Sequence, residues 1–210
     1  MSHPRLPVGY FEELYARSAD PWQFTTRWYE QRKRALTLAA LPRPHYRSCF
    51  EPGCGIGVLT QELVSRCDRI VATDIVDDAL RRAAARLAGA SAQAAATVEL
   101  RRWGLGDVWP AEHFDLIVLS EVCYYLDAPA LHAALDELLG HLDPGGTVVG
   151  VHWRHPVPEY PLTGDEVHAV LGGHPGLTVL ARYSDDDFLL EVYTTAGTER
   201  RSVAQDEGLV

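Results

Sequence analysis

The sequence predicts an α/β protein built on a seven-stranded, mostly parallel sheet that ends in an antiparallel hairpin, with two helices before the sheet. A glycine-rich turn at residues 53–57 separates a short apolar run from a helix-forming run. Strand-like and helix-like segments then alternate as far as residue 171, which is typical of a parallel sheet. Two final strand-like segments, 177–183 and 188–194, are joined by a short polar loop and predict the hairpin.

Length and composition predict one domain. The chain has 210 residues, enough for a full hydrophobic core. We divide it into an N-terminal helical lid at 1–45, a cofactor-binding core at 46–195 and a mobile polar tail at 196–210.

Charge and cysteine usage restrict the class of function. A net charge of -10 argues against a nucleic-acid partner, since nucleic-acid affinity depends largely on Lys and Arg. No apolar stretch predicts a membrane span or a signal core, so we expect a cytoplasmic protein. The four cysteines form no C-x-x-C pair, and we predict no metal site. Both a monomer and a homodimer remain open.

The first half of the chain begins with two helices, at 10–18 and 27–41, and the second ends before Pro42. The first strand, 48–51, leads through the glycine turn into a helix at 58–66. A second strand at 69–73 precedes a helix at 77–87, and the alanine-rich stretch 83–96 finishes that helix and forms a loop. These elements predict the first β-α-β unit of the sheet.

The second half continues the alternation. A third strand is predicted at 97–102. The run 114–120 is almost continuously apolar, as expected for a central strand buried on both faces. A helix at 128–142, a turn at 143–146 and a fifth strand at 147–153 follow. The last helix is predicted at 164–171, before the hairpin.

The spacing of the glycines indicates which cofactor the turn binds. A dinucleotide fingerprint, G-x-G-x-x-G, would need glycine where the chain has Val58. The turn reads instead as E-x-G-x-G-x-G, with Glu51 before the first glycine. A carboxylate and a missing glycine fit a ligand with an ammonium group and no phosphates.

Several segments together resemble one family. Glu51–Gly55 is similar to motif I of the class I S-adenosylmethionine (SAM) methyltransferases, and residues 20–22, 28–30 and 114–126 resemble the nodulation-protein-S-type (NodS-like) subgroup. The likeness covers roughly residues 10–195. It implies a Rossmann-like class I methyltransferase fold, with SAM as cofactor and S-adenosylhomocysteine as product. Founding members of the subgroup N-methylate a glucosamine of a chitin-like oligosaccharide.

The expected cofactor residues come from the residue pattern and from the resemblance. Asp74 ends the second strand, where an acid can accept both hydroxyls of a ribose. The resemblance places a further set around SAM: Glu51, Gly53 and Gly55 at the methionine end, Ile75, Asp107 and Val108 at the adenine, and Ser120 beside the sulfonium. Arg32 can pair with the SAM carboxylate or an acidic acceptor, with a solvated helix face over residues 27–34 as the favoured alternative, and Trp22 beside a turn is expected to pack on something specific.

The acceptor end is predicted from side chains after the fourth and fifth strands. Glu121, Tyr124 and His152 are the catalytic candidates, because an amine must lose a proton before it attacks. Tyr125, Trp153 and His168 are the candidates for contact with the acceptor. The alternatives are a helix-start charge for Glu121, core packing for one of the two tyrosines, and a surface or packing role for His168.

The functional prediction is a SAM-dependent methyltransferase acting on a small molecule, at the nitrogen of an amino sugar or related amine. One alternative is O-methylation of a natural product or acid, which His152 could also serve as base. Another is a SAM-binding regulator without turnover. A nicotinamide dehydrogenase is disfavoured by Val58 and by the terminal hairpin.

Overall fold

The fold is given by a computed structural model, which describes residues 5–90, 96–109, 111–199 and 201–210. Seven strands form one sheet in the order β3-β2-β1-β4-β5-β7-β6. Their bounds are β1 Tyr46–Pro52, β2 Cys67–Asp74, β3 Thr97–Arg102, β4 Phe114–Ser120, β5 Leu142–Trp153, β6 Leu177–Ser184 and β7 Phe188–Thr195. The loop expected near residue 91 and the first four residues lie outside these ranges.

The pairing of the strands confirms the expected topology. β3, β2, β1, β4 and β5 are parallel, and β7 inserts antiparallel between β5 and β6. The strand order reverses between β1 and β4, which are neighbours in the sheet but not in the chain. In open α/β sheets a ligand crevice forms outside the carboxyl ends of the strands at such a reversal.

The helices flank the sheet. Their bounds are α1 Val8–Arg17, α2 Trp28–Ala40, α3 Val58–Leu63, α4 Asp77–Ala90, α5 Ala128–His141, α6 Gly164–Gly173 and α7 Val203–Asp206, with a short 3₁₀ helix at Cys123–Tyr125. Asp127 caps α5 by accepting a hydrogen bond from the Ala130 amide, and Thr163 and Glu166 form a capping box on α6. These local signals start both helices immediately after loops that border the site.

Alternation along the strands divides the hydrophobic core in two. Cys49 belongs to a cluster that includes side chains of α3 and α4, whereas its neighbour Phe50 belongs to a cluster with α5 and α6. Successive strand side chains point to opposite faces, so one helix layer covers each face. β4 is buried along nearly its whole length, as its apolar run predicted.

Some element boundaries differ from the sequence prediction. β5 begins at Leu142, because Leu142 already pairs with Phe114, and residues 143–146 form an irregularity before the pairing resumes between Leu116 and Thr147. α3 ends at Leu63, three residues early, where the Arg66 amide bonds to the Leu63 carbonyl and the chain enters β2. Within the described residues, no helix combines the length and the apolar character needed to cross a bilayer.

The chain ends also carry structure. Arg5 pairs with Leu126 in an isolated antiparallel bridge, so the segment before α1 lies along the loop that follows β4. The segment expected to be a mobile tail contains the four-residue helix α7. Its mobility stays a prediction.

Candidate active site

A cavity of about 620 Å³ opens at the carboxyl ends of β1, β2 and β4, where the strand order reverses. Residues of α1, of α2 and of the loop between them line its outer side. Eleven predicted site residues line the cavity: Trp22, Glu51, Gly53, Gly55, Asp74, Ile75, Ser120, Glu121, Tyr124, Tyr125 and Trp153. The topology therefore gathers most of the predicted residues into one space.

The glycine turn forms one wall of the cavity. Gly53 and Gly55 have φ values of +73° and +55°, in the left-handed region that favours glycine. A Cβ on Gly53 would lie 3.0 Å from Val122 Cγ2, and one on Gly55 would lie 3.2 Å from the Tyr15 hydroxyl. The turn therefore presents backbone without side chains to a ligand. A side chain at Gly53 or Gly55 would occupy the space beside the turn, which we call the glycine cradle.

Glu51 is a buried acid beside this turn. It is 2% exposed, and its Oε2 atom has no hydrogen-bond partner among the described residues. Burial raises the pKa of Glu51 to about 8. A buried carboxylate without a partner is costly, so this group is ready to bind a cation that enters the cavity.

Asp74, at the end of β2, fixes the opposite side of the turn. Its Oδ2 accepts from the Gly55 amide and its Oδ1 accepts from the Val76 amide, both at 2.9 Å. Burial raises the pKa of this carboxyl, and the backbone hydrogen bonds oppose the rise. Each oxygen keeps a lone pair for a hydroxyl donor, as the ribose prediction requires.

Glu121 occupies the mouth directly after β4. Its backbone has a φ of +56°, and its amide donates to the Val151 carbonyl at 2.8 Å. Its side chain accepts from the Trp153 amide at 3.0 Å and from the Tyr124 hydroxyl. Such a left-handed conformation is uncommon for glutamate, and these bonds from β5 and the 3₁₀ helix hold it in place.

Helix α2 places a second group of polar side chains against Glu121. The Lys33 ammonium lies 2.5 Å from Glu121 Oε1, 3.1 Å from Glu30 Oε1 and 4.8 Å from the centre of the Tyr29 ring. Glu30 and Lys33 are 7% and 3% exposed. Tyr29 also packs edge-on against Trp153. We call Glu30, Lys33 and Glu121 the carboxylate–lysine cluster.

His152 and His168 do not reach the cavity, although we expected His152 at its mouth. Strand alternation turns Trp153 to the cavity and His152 to the α6 side, where it is completely buried. Burial holds the pKa of His152 well below its ordinary value. In this position His152 cannot take a proton from a ligand directly.

The two histidines form a hydrogen-bonded chain behind the site. The Cys123 amide donates to His152 Nε2 at 3.3 Å, so the proton of His152 is on Nδ1. That proton points to His168 Nε2 at 3.2 Å, and His168 Nδ1 in turn donates to Glu191 at 2.7 Å. The chain connects β7 to the 3₁₀ helix that carries Tyr124 and Tyr125.

Three other predicted residues also lie away from the cavity. Arg32 is on the side of α2 that faces the hairpin, where it donates to Asp185 at 2.8 Å and to Tyr183. Asp107 accepts from Arg5 at 2.9 Å and from the Gly104 amide at 3.0 Å, and Val108 is 94% exposed. In this part of the site, Arg5 and Gly104 line the cavity instead.

Sequence reasoning missed Tyr15, Glu30 and Lys33, which all line the cavity. The solvated face expected at residues 27–34 is not fully solvated, because α2 buries Glu30, Lys33 and Arg34. The available signal was the helical spacing of Tyr29, Glu30 and Lys33, which places them on one face. Only tertiary packing shows that this face turns inward.

Comparison with known proteins agrees with this geometry. Residues 50–148 match the family described as "Methyltransferase domain". Nodulation protein S from Bradyrhizobium diazoefficiens is 33% identical over 132 residues, and the matched region covers 62% of this chain and 61% of the relative. The Rhizobium tropici protein of the same name is also 33% identical, with 53% of its length covered. The match thus spans less than two thirds of these curated relatives.

Solved structures extend the likeness over more of the chain. A candidate methyltransferase from Pseudomonas syringae is 44% identical, with a TM-score of 0.67, and the match covers 80% of this chain and 99% of that one. The N-methyltransferase NodS from Bradyrhizobium japonicum, in complex with S-adenosylhomocysteine, is 25% identical with a TM-score of 0.78. That match covers 90% of this chain and 97% of NodS.

The cavity also fits the cofactor of that family. Glu51 has an unpartnered oxygen that suits an ammonium group, Gly53 and Gly55 present backbone without side chains, and the oxygens of Asp74 suit the hydroxyls of a ribose. Sequence, fold and cavity agree: the chain belongs to the SAM-dependent methyltransferases with a class I fold, and it is similar to the NodS-like subgroup.

Proposed function

We propose that the protein transfers the methyl group of SAM to the nitrogen of a small-molecule amine, with an amino sugar as the first candidate. One observation carries the proposal. A single cavity joins the Glu51 and Asp74 end, which suits SAM, to the carboxylate–lysine cluster, which suits a cationic acceptor. The relative crystallised with S-adenosylhomocysteine is named an N-methyltransferase, which supports nitrogen as the methylated atom.

The protein's contribution to the reaction is mainly positioning. SAM supplies a methyl group on a sulfonium, from which an in-line nucleophile can displace it. Ser120 ends β4, and Glu121 of the acceptor end follows it directly, so a nucleophile held at Glu121 would meet the sulfonium near Ser120. Correct alignment of two reactants contributes about 7–11 kcal/mol to lowering a barrier.

Aromatic rings complete the acceptor end. Tyr124 stacks on Tyr160 with ring centres 4.9 Å apart, and Tyr125 meets the same ring edge-on. Tyr29 and Trp153 contribute the opposite side. Ring faces attract cations, so this lining favours an ammonium-bearing acceptor over a carboxylic acid.

We also propose that the segment 1–45 acts as a lid over the bound cofactor. Its described part contributes Leu6, Phe11, Tyr15 and Trp22 to the cavity wall, and Trp22 stacks on Phe24.

The acidic charge and four buried thiols support a cytoplasmic protein that does not bind nucleic acid. Monomer and homodimer both stay open.

His152 was a candidate base for N-methylation and for the O-methylation alternative alike, and its burial removes it from both. The test is methyl transfer from isotope-labelled SAM to a panel of primary amines, with the matching alcohols and carboxylic acids as controls. We expect label on nitrogen with at least one amine and none with its alcohol. Label only on the oxygen compounds would overturn the proposal.

A further inference from the structure

The carboxylate–lysine cluster carries more negative than positive charge. Glu30 and Glu121 share the single ammonium of Lys33, and all three side chains are largely buried. The nearby Arg34 is already paired with Glu62 at 2.8 Å. One carboxylate is therefore left without a cation, which is a costly arrangement unless the group binds a proton or a cationic ligand.

The carboxylates of Glu121 and Glu30 differ in the number of hydrogen bonds that they accept. Glu121 receives hydrogen bonds on both oxygens, from Lys33 on Oε1 and from the Trp153 amide and Tyr124 on Oε2. Glu30 receives one from Lys33 on Oε1, and among the described residues no donor reaches its Oε2. Glu30 lines the cavity, so its unused oxygen is available to a ligand there.

The surroundings of Glu30 favour its neutral form more than those of an ordinary glutamate. Burial raises the pKa of Glu30, and Lys33 opposes the rise. The charged groups that face it are Lys33 and Arg34 from its own helix and Glu121 from the end of β4. The Tyr29 hydroxyl beside it is buried and has no partner among the described residues, so it is also available to the ligand.

We propose that Glu30 is the catalytic base of the acceptor site: its Oε2 receives the acceptor's ammonium group and takes the proton that the nitrogen must lose. This inference rests on the proposed function. Glu121 shares the binding of the cation but is committed to its own hydrogen bonds, and Lys33 holds the two carboxylates together.

The proton and electron balance is simple. The R–NH₃⁺ acceptor gives one proton to Glu30, which leaves a neutral carboxylic acid and a lone pair on nitrogen. That pair forms the N–C bond as the S–C bond breaks, and the S–C electrons remain on sulfur. The products are a methylammonium and S-adenosylhomocysteine, and Glu30 returns its proton to water when they leave.

The test is Glu30→Gln, which keeps the shape of the side chain, with the exposed Glu12→Gln on α1 as the matched control. At neutral pH the loss of a general base should lower kcat/KM for a primary amine by about 10²- to 10⁴-fold. The defect should shrink as pH rises past the pKa of the amine, because a neutral amine needs no base. Affinity for S-adenosylhomocysteine should be unchanged in both variants.

A second readout does not depend on turnover. Calorimetric titration of the S-adenosylhomocysteine complex with D-glucosamine should show binding that Glu30→Gln weakens, whereas N-acetylglucosamine, which is neutral, should show no such difference. Glu30→Asp, which retains the carboxylate on a shorter stem, should recover part of both losses. A defect in Glu30→Gln that is independent of pH and equal for both sugars would overturn the role of Glu30.

The outcomes separate the inference from the function on which it rests. If the wild type methylates an amine and Glu30→Gln does so equally well at neutral pH, only the role of Glu30 is contradicted. If the wild type binds S-adenosylhomocysteine but neither binds nor methylates any amine of the panel, the proposed function falls, and the role of Glu30 falls with it.

Discussion

Among single residues, Asp74 is the one whose proposed role can be tested most simply. It bonds to the Gly55 and Val76 amides and faces the cavity. Asp74→Ala removes the proposed acceptor for the ribose hydroxyls and loosens the glycine turn. Loss of a hydrogen bond to a charged group costs about 1.5–3 kcal/mol, so we expect S-adenosylhomocysteine to bind at least ~10-fold more weakly.

Calorimetry measures this change, and Asp78→Ala on α4 is the control, because Asp78 pairs only with neighbouring arginines on its own helix. Equal affinity in Asp74→Ala and the wild type would refute the ribose assignment.

Glu51 makes a prediction about pH. Its pKa is about 8 in the folded protein against 4.5 ordinarily, so between these values the folded state binds a proton that the unfolded state does not. The wild type should therefore lose stability as pH rises through that window. In Glu51→Gln this loss should be smaller.

Chemical denaturation of both proteins without ligand, at several pH values between about 5 and 8, gives the unfolding free energies. Parallel pH profiles for the two proteins would contradict a buried, protonated Glu51.

Residues were predictable where a local rule fixes their position. Asp74 and Glu51 lie at strand ends beside the glycine turn, and the sequence places both in the site. Lys33 follows no such rule, since lysine is almost never fully buried unless it is paired. Its partner Glu121 is 88 positions away, and no local pattern connects the two.

At the scale of elements, the glycine turn should tolerate no side chain. Gly55→Ala puts a Cβ at a φ of +55° and 3.2 Å from the Tyr15 hydroxyl. We expect a loss of about 1–2 kcal/mol in unfolding free energy, together with weaker binding of S-adenosylhomocysteine.

Gly172→Ala is the matched control, because it lies in α6 with nothing within 4 Å of its added Cβ. In the last turn of a helix this change should leave stability unchanged or raise it by less than the roughly 0.5–1 kcal/mol of a helix interior. If the two substitutions changed the affinity for S-adenosylhomocysteine to a similar extent, the proposed contact between the glycine cradle and the ligand would be contradicted.

The chain of His152, His168 and Glu191 connects β7 to the 3₁₀ helix that carries Tyr124. Glu191→Leu leaves the buried His168 Nδ1 proton without an acceptor, so we expect a cost of about 1–3 kcal/mol in stability. Turnover should fall more than cofactor affinity, because these hydrogen bonds support the 3₁₀ helix, whose Tyr124 lines the acceptor side of the cavity.

Glu191→Gln keeps one oxygen that can accept from His168 and should recover part of both losses. Thermal unfolding and the separate values of kcat and KM check this. If Glu191→Leu is unstable but has a normal kcat, the hydrogen bonds among His152, His168 and Glu191 contribute to folding alone.

The order and type of the core elements followed from hydrophobic pattern and turn chemistry, but side-chain direction did not. His152 and Trp153 are neighbours at the end of β5, and only the register of β5 against β7 decides which of them faces the cavity. Register depends on pairing across the sheet, which the local sequence does not specify. The early start of β5 at Leu142 depends on pairing with Phe114 for the same reason.

In the whole molecule, the order of the strands places the proposed cofactor-binding and acceptor-binding groups in one cavity. The reversal between β1 and β4 brings Glu51 and Glu121 to the same crevice, although 70 positions separate them in the chain. Helix α2 then closes the crevice with Glu30 and Lys33. In the proposed function, cofactor binding depends on the sheet, and acceptor binding depends on the contact between α2 and the sheet.

Calorimetric titration of the wild type with SAM, S-adenosylhomocysteine and NAD decides whether this cavity binds SAM or a dinucleotide. We predict saturable binding of the first two in the micromolar range and none of NAD, because Val58 stands where the dinucleotide fingerprint needs a glycine. Binding of NAD alone would contradict the account of the glycine turn and every site assignment built on it.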